Sequence, residues 1–161
     1  MIKNRGFTLL ELMVVVAVIS ILAAIALPTY FSQVRKSRRS AAEGSLQQIS
    51  LLEERYRADN TGYLAASAGS WPSSIGSDPG ITDKYYIYTV TVTAAAVSAV
   101  APCTAPAPAL FTATAAAQSL GGQNNDKAAG TDCSSLTYSV TWDATNCVMK
   151  TVKANAACWA Q

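Results

Sequence analysis

The stretch MIKNRGFTLLELMVVVAVISILAAIALP, residues 1–28, decides how the chain is read. A short basic leader with Lys3 and Arg5 meets a Gly6-Phe7 junction, then one acid, Glu11, then an apolar run. Between Leu12 and Leu27 only Ser20 is polar and nothing is charged. Residues 7–31, taken as a helix rising about 1.5 Å per residue, are long enough to cross the roughly 30 Å hydrocarbon core of a bilayer. A core helix of a soluble domain would show a polar face, and this run has none. A secretory signal peptide shares the basic start, and Leu-Ala-Ala-Ile-Ala could be forced into a cleavage site. Its apolar core is shorter, however, and it has no use for an acid at the leading edge. A lone carboxylate there costs on the order of 2–3 kcal/mol, so it needs a partner or a task. The reading is one membrane helix.

Gly6-Phe7-Thr8-Leu9-Leu10-Glu11, followed by the apolar run and Pro28, closely resembles the class III signal of type IV pilins. The resemblance implies that prepilin peptidase removes residues 1–6, cutting between Gly6 and Phe7, and methylates the Phe7 amine. It also implies an inner-membrane precursor whose helix later becomes the core of an extracellular pilus, built by inner-membrane assembly machinery. Glu11 matches the family's assembly glutamate. The chemistry of that role is general: a carboxylate alone among apolar helices is strongly destabilising. A positive N-terminal amine on a neighbouring subunit would neutralise it, and a subunit docked out of step would leave both charges unpaired. In the lone subunit Glu11 can instead reach the membrane surface.

The chain has 161 residues, about 155 after the implied cleavage, which leaves room for one domain beyond the helix. It contains no histidine, so the usual general base and the commonest metal ligand are missing. Nothing else in the residues proposes an enzyme or a cofactor. Over residues 32–60 the helix continues in an amphipathic form. Val34, Ala41, Ala42, Leu46, Ile49, Leu52 and Tyr56 form an apolar face, with Arg35, Lys36, Arg38, Arg39, Glu43, Glu53, Glu54, Arg55 and Arg57 as a solvated set. Pro28 removes a helical hydrogen bond and marks a kink, Gly44 is a second soft point, and Asn60-Thr61-Gly62 ends the helix. The cluster Arg35, Lys36, Arg38, Arg39 fits a solvated face, a lipid-headgroup anchor, inter-subunit salt bridges or nucleic-acid contact. By charge alone it favours the cytoplasmic side; the cysteines downstream and the pilin resemblance place it outside.

Residues 61–161 read as a β domain. Residues 65–80 are a turn-rich loop tacked down by Trp71 and Ile75. Residues 85–93 alternate as a strand with Tyr86, Tyr88, Val90 and Val92 on one face, and residues 110–114 form a shorter strand. Residues 94–108 and 118–131 read as a connection and an exposed loop. Residues 136–142 alternate again, with Leu136, Tyr138, Val140 and Trp142 inward, and a turn at 143–146 leads into a strand over 147–152. About four antiparallel strands against one long helix make an α+β fold, the layout the pilin resemblance implies.

Cys103, Cys133, Cys147 and Cys158 all lie in this domain. An even number on an exported domain reads as two disulfides with three pairings open, and without a Cys-x-x-Cys or a histidine zinc is not indicated. Cys133-Ser-Ser-Leu-Thr and Cys158-Trp159 resemble the bracketing cysteines of PilE-like pilins, which implies Cys133–Cys158 and leaves Cys103–Cys147. The resulting reading is a major or minor pilin, polymerising with other pilin subunits and serving adhesion, twitching motility or DNA uptake as the family does. A DNA-binding minor pilin acting as receptor in transformation, and a type II secretion pseudopilin, are the alternatives. Against DNA, the residues after 60 carry four lysines and five aspartates, a net charge of −1, with no cation cluster beyond Lys150 and Lys153.

Overall fold

Helix α1 (Leu9–Asp59) runs 51 residues without interruption in the computed structural model, which describes residues 7–68, 70–79, 83–95, 98–99 and 101–159. Thr8 caps its start in an extended conformation, its Oγ1 accepting the Glu11 N–H at 3.2 Å. Thr8 and Glu11 thus stand at the two positions of a Thr-x-x-Glu capping motif. Ser20 donates its hydroxyl to the Val16 carbonyl at 2.8 Å, which satisfies the one polar side chain of the apolar run inside the helix itself. The helix passes Pro28 unbroken, with Thr29 Oγ1 donating to the Ala26 carbonyl and Ser32 Oγ to the Thr29 carbonyl just beyond it. Asn60 closes the far end, its side-chain amide donating to the Tyr56 carbonyl at 2.8 Å.

Strands β1 (Tyr86–Thr93), β2 (Leu110–Ala117), β5 (Ser135–Asp143) and β6 (Val148–Ala154) form an antiparallel meander in the order β1-β2-β5-β6. A small hairpin, β3 (Lys127–Ala128) with β4 (Thr131–Asp132), interrupts the meander between β2 and β5. A single helical turn, α2 (Ala156–Trp159), follows β6. The inner face of the sheet buries Tyr86, Tyr88 and Val90 of β1, Phe111, Ala113 and Ala115 of β2, and Leu136 and Val140 of β5 against Ala42, Leu46 and Ile49 of α1. Ala66 bridges to Val90, and Ile75 is buried with Trp71 packed on the core, so the 65–80 loop is tacked down at the two expected side chains.

Three expectations need correcting. Strand β2 continues to Ala117 rather than stopping at Thr114, because pairing with β1 and β5 on both sides overrides the weak strand preference of its alanines. Residues 118–131 are not simply an exposed loop: a 3-10 turn (Leu120–Asn125) and the β3–β4 hairpin fold back on the helix and bury Gln123 and Asp126. On α1, Ala41 is exposed, whereas Arg39, Glu43 and Glu53, assigned to the solvated set, are buried. Positions 39, 43, 46, 50 and 53 follow helical steps, so these charges share a face with Leu46, where Arg39 pairs with Asp126 and Glu53 accepts the Leu64 N–H.

Candidate functional site

The first half of α1 leaves the domain without being covered by it. An 18-residue window of this helix has mean hydropathy 2.8 and is wholly unburied, and Phe7 is 85% exposed at its start. Leu10, Val14, Ile21, Ile25 and Phe31 are likewise more than half exposed. Apolar surface on this scale exists to be covered, by lipid or by other protein. Glu11 stands on this bare segment beside the capped helix start, and Pro28 lies within it. Gly6 and the leader lie outside the described residues.

The amphipathic half is held to the β domain by charge as well as by packing. Arg39 Nη1 donates to Asp126 Oδ2 at 2.6 Å, with both side chains almost fully buried and Glu43 one turn along the helix from Arg39. The Gln123 side-chain amide donates to the Arg35 carbonyl at 3.2 Å and to the Tyr86 hydroxyl at 2.9 Å. Burial pushes the Tyr86 phenol up to about 12. Arg38 lies over the Tyr85 ring, 3.8 Å from its centroid, and reaches the Gly121 carbonyl. Lys84 stands 5.2 Å from the same centroid, so a lysine of the domain and an arginine of the helix share one aromatic ring. At the far end Tyr63 donates to Glu54 at 2.6 Å and accepts from Arg57 at 2.8 Å, and its ring packs 4.7 Å from Phe111.

Of the basic cluster, Arg39 and Arg38 are therefore committed to the domain, whereas among the described residues no ion pair joins Arg35 or Lys36 to a carboxylate. Reading the residues missed Asp126 and Gln123. Their signal was faint: an Asn-Asn-Asp run reads as turn, and its partner Arg39 lies 87 residues away. The structure bridges Cys133 to Cys158 and Cys103 to Cys147. Among the described residues no group of three histidine, cysteine, aspartate or glutamate side chains is arranged to hold a metal.

A bare apolar helix emerging from an α+β head, capped at a Gly-Phe-Thr-Leu-Leu-Glu start and stapled by two disulfides, defines a type IV pilin. Residues 1–27 match the prokaryotic N-terminal methylation motif, and residues 28–137 match the family described as type IV minor pilin ComP, DNA uptake sequence receptor. The chain belongs to this pilin family. It is 41% identical to the type IV major pilin protein PilA of Myxococcus xanthus over 38% of this chain and 28% of that protein. It is 37% identical to a fimbrial protein of Neisseria meningitidis over 51% of this chain and 46% of that protein. The type II secretion system core protein G of Pseudomonas aeruginosa is 36% identical over 42% of this chain and 47% of that protein. The chain thus spans less than half the length of these three relatives.

Proposed function

We propose that this chain is a subunit of a type IV pilus, held in the inner membrane by residues 7–31 and then polymerised through the same helix. The observation that carries the proposal is the uncovered apolar half of α1 with one carboxylate, Glu11, at its start. Cleavage between Gly6 and Phe7 by prepilin peptidase would create the amine that pairs with Glu11 of the neighbouring subunit. The low dielectric of a core of packed helices makes that pair a register pin. Glu11→Ala is expected to leave membrane insertion intact while removing the subunit from filaments. Mass spectrometry of sheared, purified filaments tests this: the wild-type chain starting at a methylated Phe7 is the expected result, and undiminished incorporation of Glu11→Ala would overturn the assigned role. Gly6→Ser is expected to leave the leader attached.

A second reading, a minor pilin that binds DNA, is favoured by the family description matched over residues 28–137. It gains from the Arg38–Tyr85–Lys84 cluster, which joins cations from helix and domain that a charge count of the domain alone separates. Phosphate contacts make binding weaken steeply with salt. Gel-shift titration with double-stranded DNA at two salt concentrations checks it. Lys84→Gln is expected to lower affinity and shallow the salt slope, and absence of binding at low salt would reject the reading.

A further inference from the structure

We propose that the cleft between α1 and the β3–β4 hairpin holds a phosphate group, supplied by an anionic phospholipid of the membrane in which residues 7–31 are anchored. The cleft encloses about 560 Å³ and is lined by Ser32, Arg35, Lys36 and Arg39 on the helix and by Asp126 and Lys127 across from it. Its single acid is already taken, because Asp126 Oδ2 accepts from Arg39 Nη1 at 2.6 Å. Asp132 faces Lys127 across the hairpin but does not line the cleft. Among the described residues no ion pair joins Arg35, Lys36 or Lys127 to a carboxylate. Arg35 also keeps a buried Nε–H without a hydrogen-bond partner among those residues. Arg35, Lys36 and Lys127 thus line one cavity whose single lining acid is held by Arg39, with Asp132 attracting Lys127 from across the hairpin, and this excess of cations over acids favours phosphate.

The depth of the cleft decides the source of that phosphate. Ser32 follows directly on the membrane segment, and Tyr30 and Phe31, both more than half exposed, stand at its edge with their rings 5.9 Å apart. Aromatic side chains of this kind sit at the headgroup level. A cleft opening one turn further along therefore lies where phospholipid phosphates lie. Lys127 belongs to the head and Arg35 and Lys36 to the helix, so one headgroup would be gripped from both sides. The buried Arg39–Asp126 pair fixes the spacing between those sides.

The inference rests on membrane anchoring, which the test reads separately. The full chain is reconstituted into nanodiscs of phosphatidylcholine, with and without phosphatidylglycerol, and the lipids it retains are counted by native mass spectrometry. Wild type is expected to retain phosphatidylglycerol in preference to phosphatidylcholine. Lys127→Gln and Lys36→Gln are each expected to weaken that retention about fivefold, the scale of one cation near an anionic surface. Lys150→Gln, on the outer face of the sheet, is expected to leave it unchanged, and thermal unfolding of each variant verifies the fold. Absence of a preference, or a preference untouched by Lys127→Gln, overturns the proposal, including the case where Lys127→Gln impairs only filament assembly. Inorganic phosphate is titrated in parallel: Lys127-dependent binding as tight as that of phosphatidylglycerol would assign the site to soluble phosphate and overturn the lipid source. Failure of the chain to insert into phosphatidylcholine discs would instead overturn the anchoring.

Discussion

Glu53 lies fully buried under the chain that leaves α1, with Oε2 accepting the Leu64 N–H at 3.0 Å. Burial raises its carboxyl above the usual range, the Leu64 bond pulls it back and neighbouring Glu54 pushes it further up. The folded state therefore binds this proton more tightly than the unfolded one. The stability it contributes is complete below the unfolded value, near 4.5, and is lost as pH rises through the raised folded value. Glu53→Gln keeps an acceptor for the Leu64 N–H and removes the buried charge. Its Tm is expected to exceed that of wild type at pH 7, with the difference shrinking as pH falls towards 4.5; a constant difference would refute the assignment. Residue type alone pointed the wrong way here, since glutamate and arginine read as solvent-facing. The spacing of 39, 43, 46, 50 and 53 held the better signal, because it places those charges on the face that carries Leu46.

The elements differ in how openly they announce themselves. Strands β1 and β5 alternate large apolar and polar side chains, so period and facing were legible, with Tyr86, Tyr88 and Val90 inward. On the outer face, Thr89, Thr114 and Thr137 stand opposite one another across three strands, as do Thr91, Thr112 and Ser139, a register that strand alternation alone does not fix. The β3–β4 hairpin was not legible, because its two-residue strands carry no period and its tie to α1 runs through Asp126, paired with the distant Arg39. That contact can be tested. Arg39→Ala leaves Asp126 buried without its cation and is expected to cost about 3–5 kcal/mol, read as a lowered Tm of the full chain in detergent. Replacing both partners, Arg39→Met with Asp126→Leu, is expected to recover most of the loss. If the double variant is no better than Arg39→Ala, the pair is not what holds the hairpin.

At the scale of the molecule, α1 is shared between two environments, its first half bare and its second half the central pillar of the head. The first half was legible from composition alone, since twenty-odd residues without charge after Glu11 have few uses. The joining of helix to head was not, because it depends on pairs such as Arg39 with Asp126 that are remote in sequence. The disulfides, 103 with 147 and 133 with 158, interleave along the chain. Any single peptide bond cut between Cys103 and Cys158 consequently leaves the two fragments joined by at least one bridge. Limited proteolysis of the head in that interval is expected to give a product of intact mass on a non-reducing gel that separates into pieces on reduction; release without reductant would contradict the interleaved pairing. In the pilus proposed above, a head nicked anywhere between Cys103 and Cys158 would still stay attached to its helix.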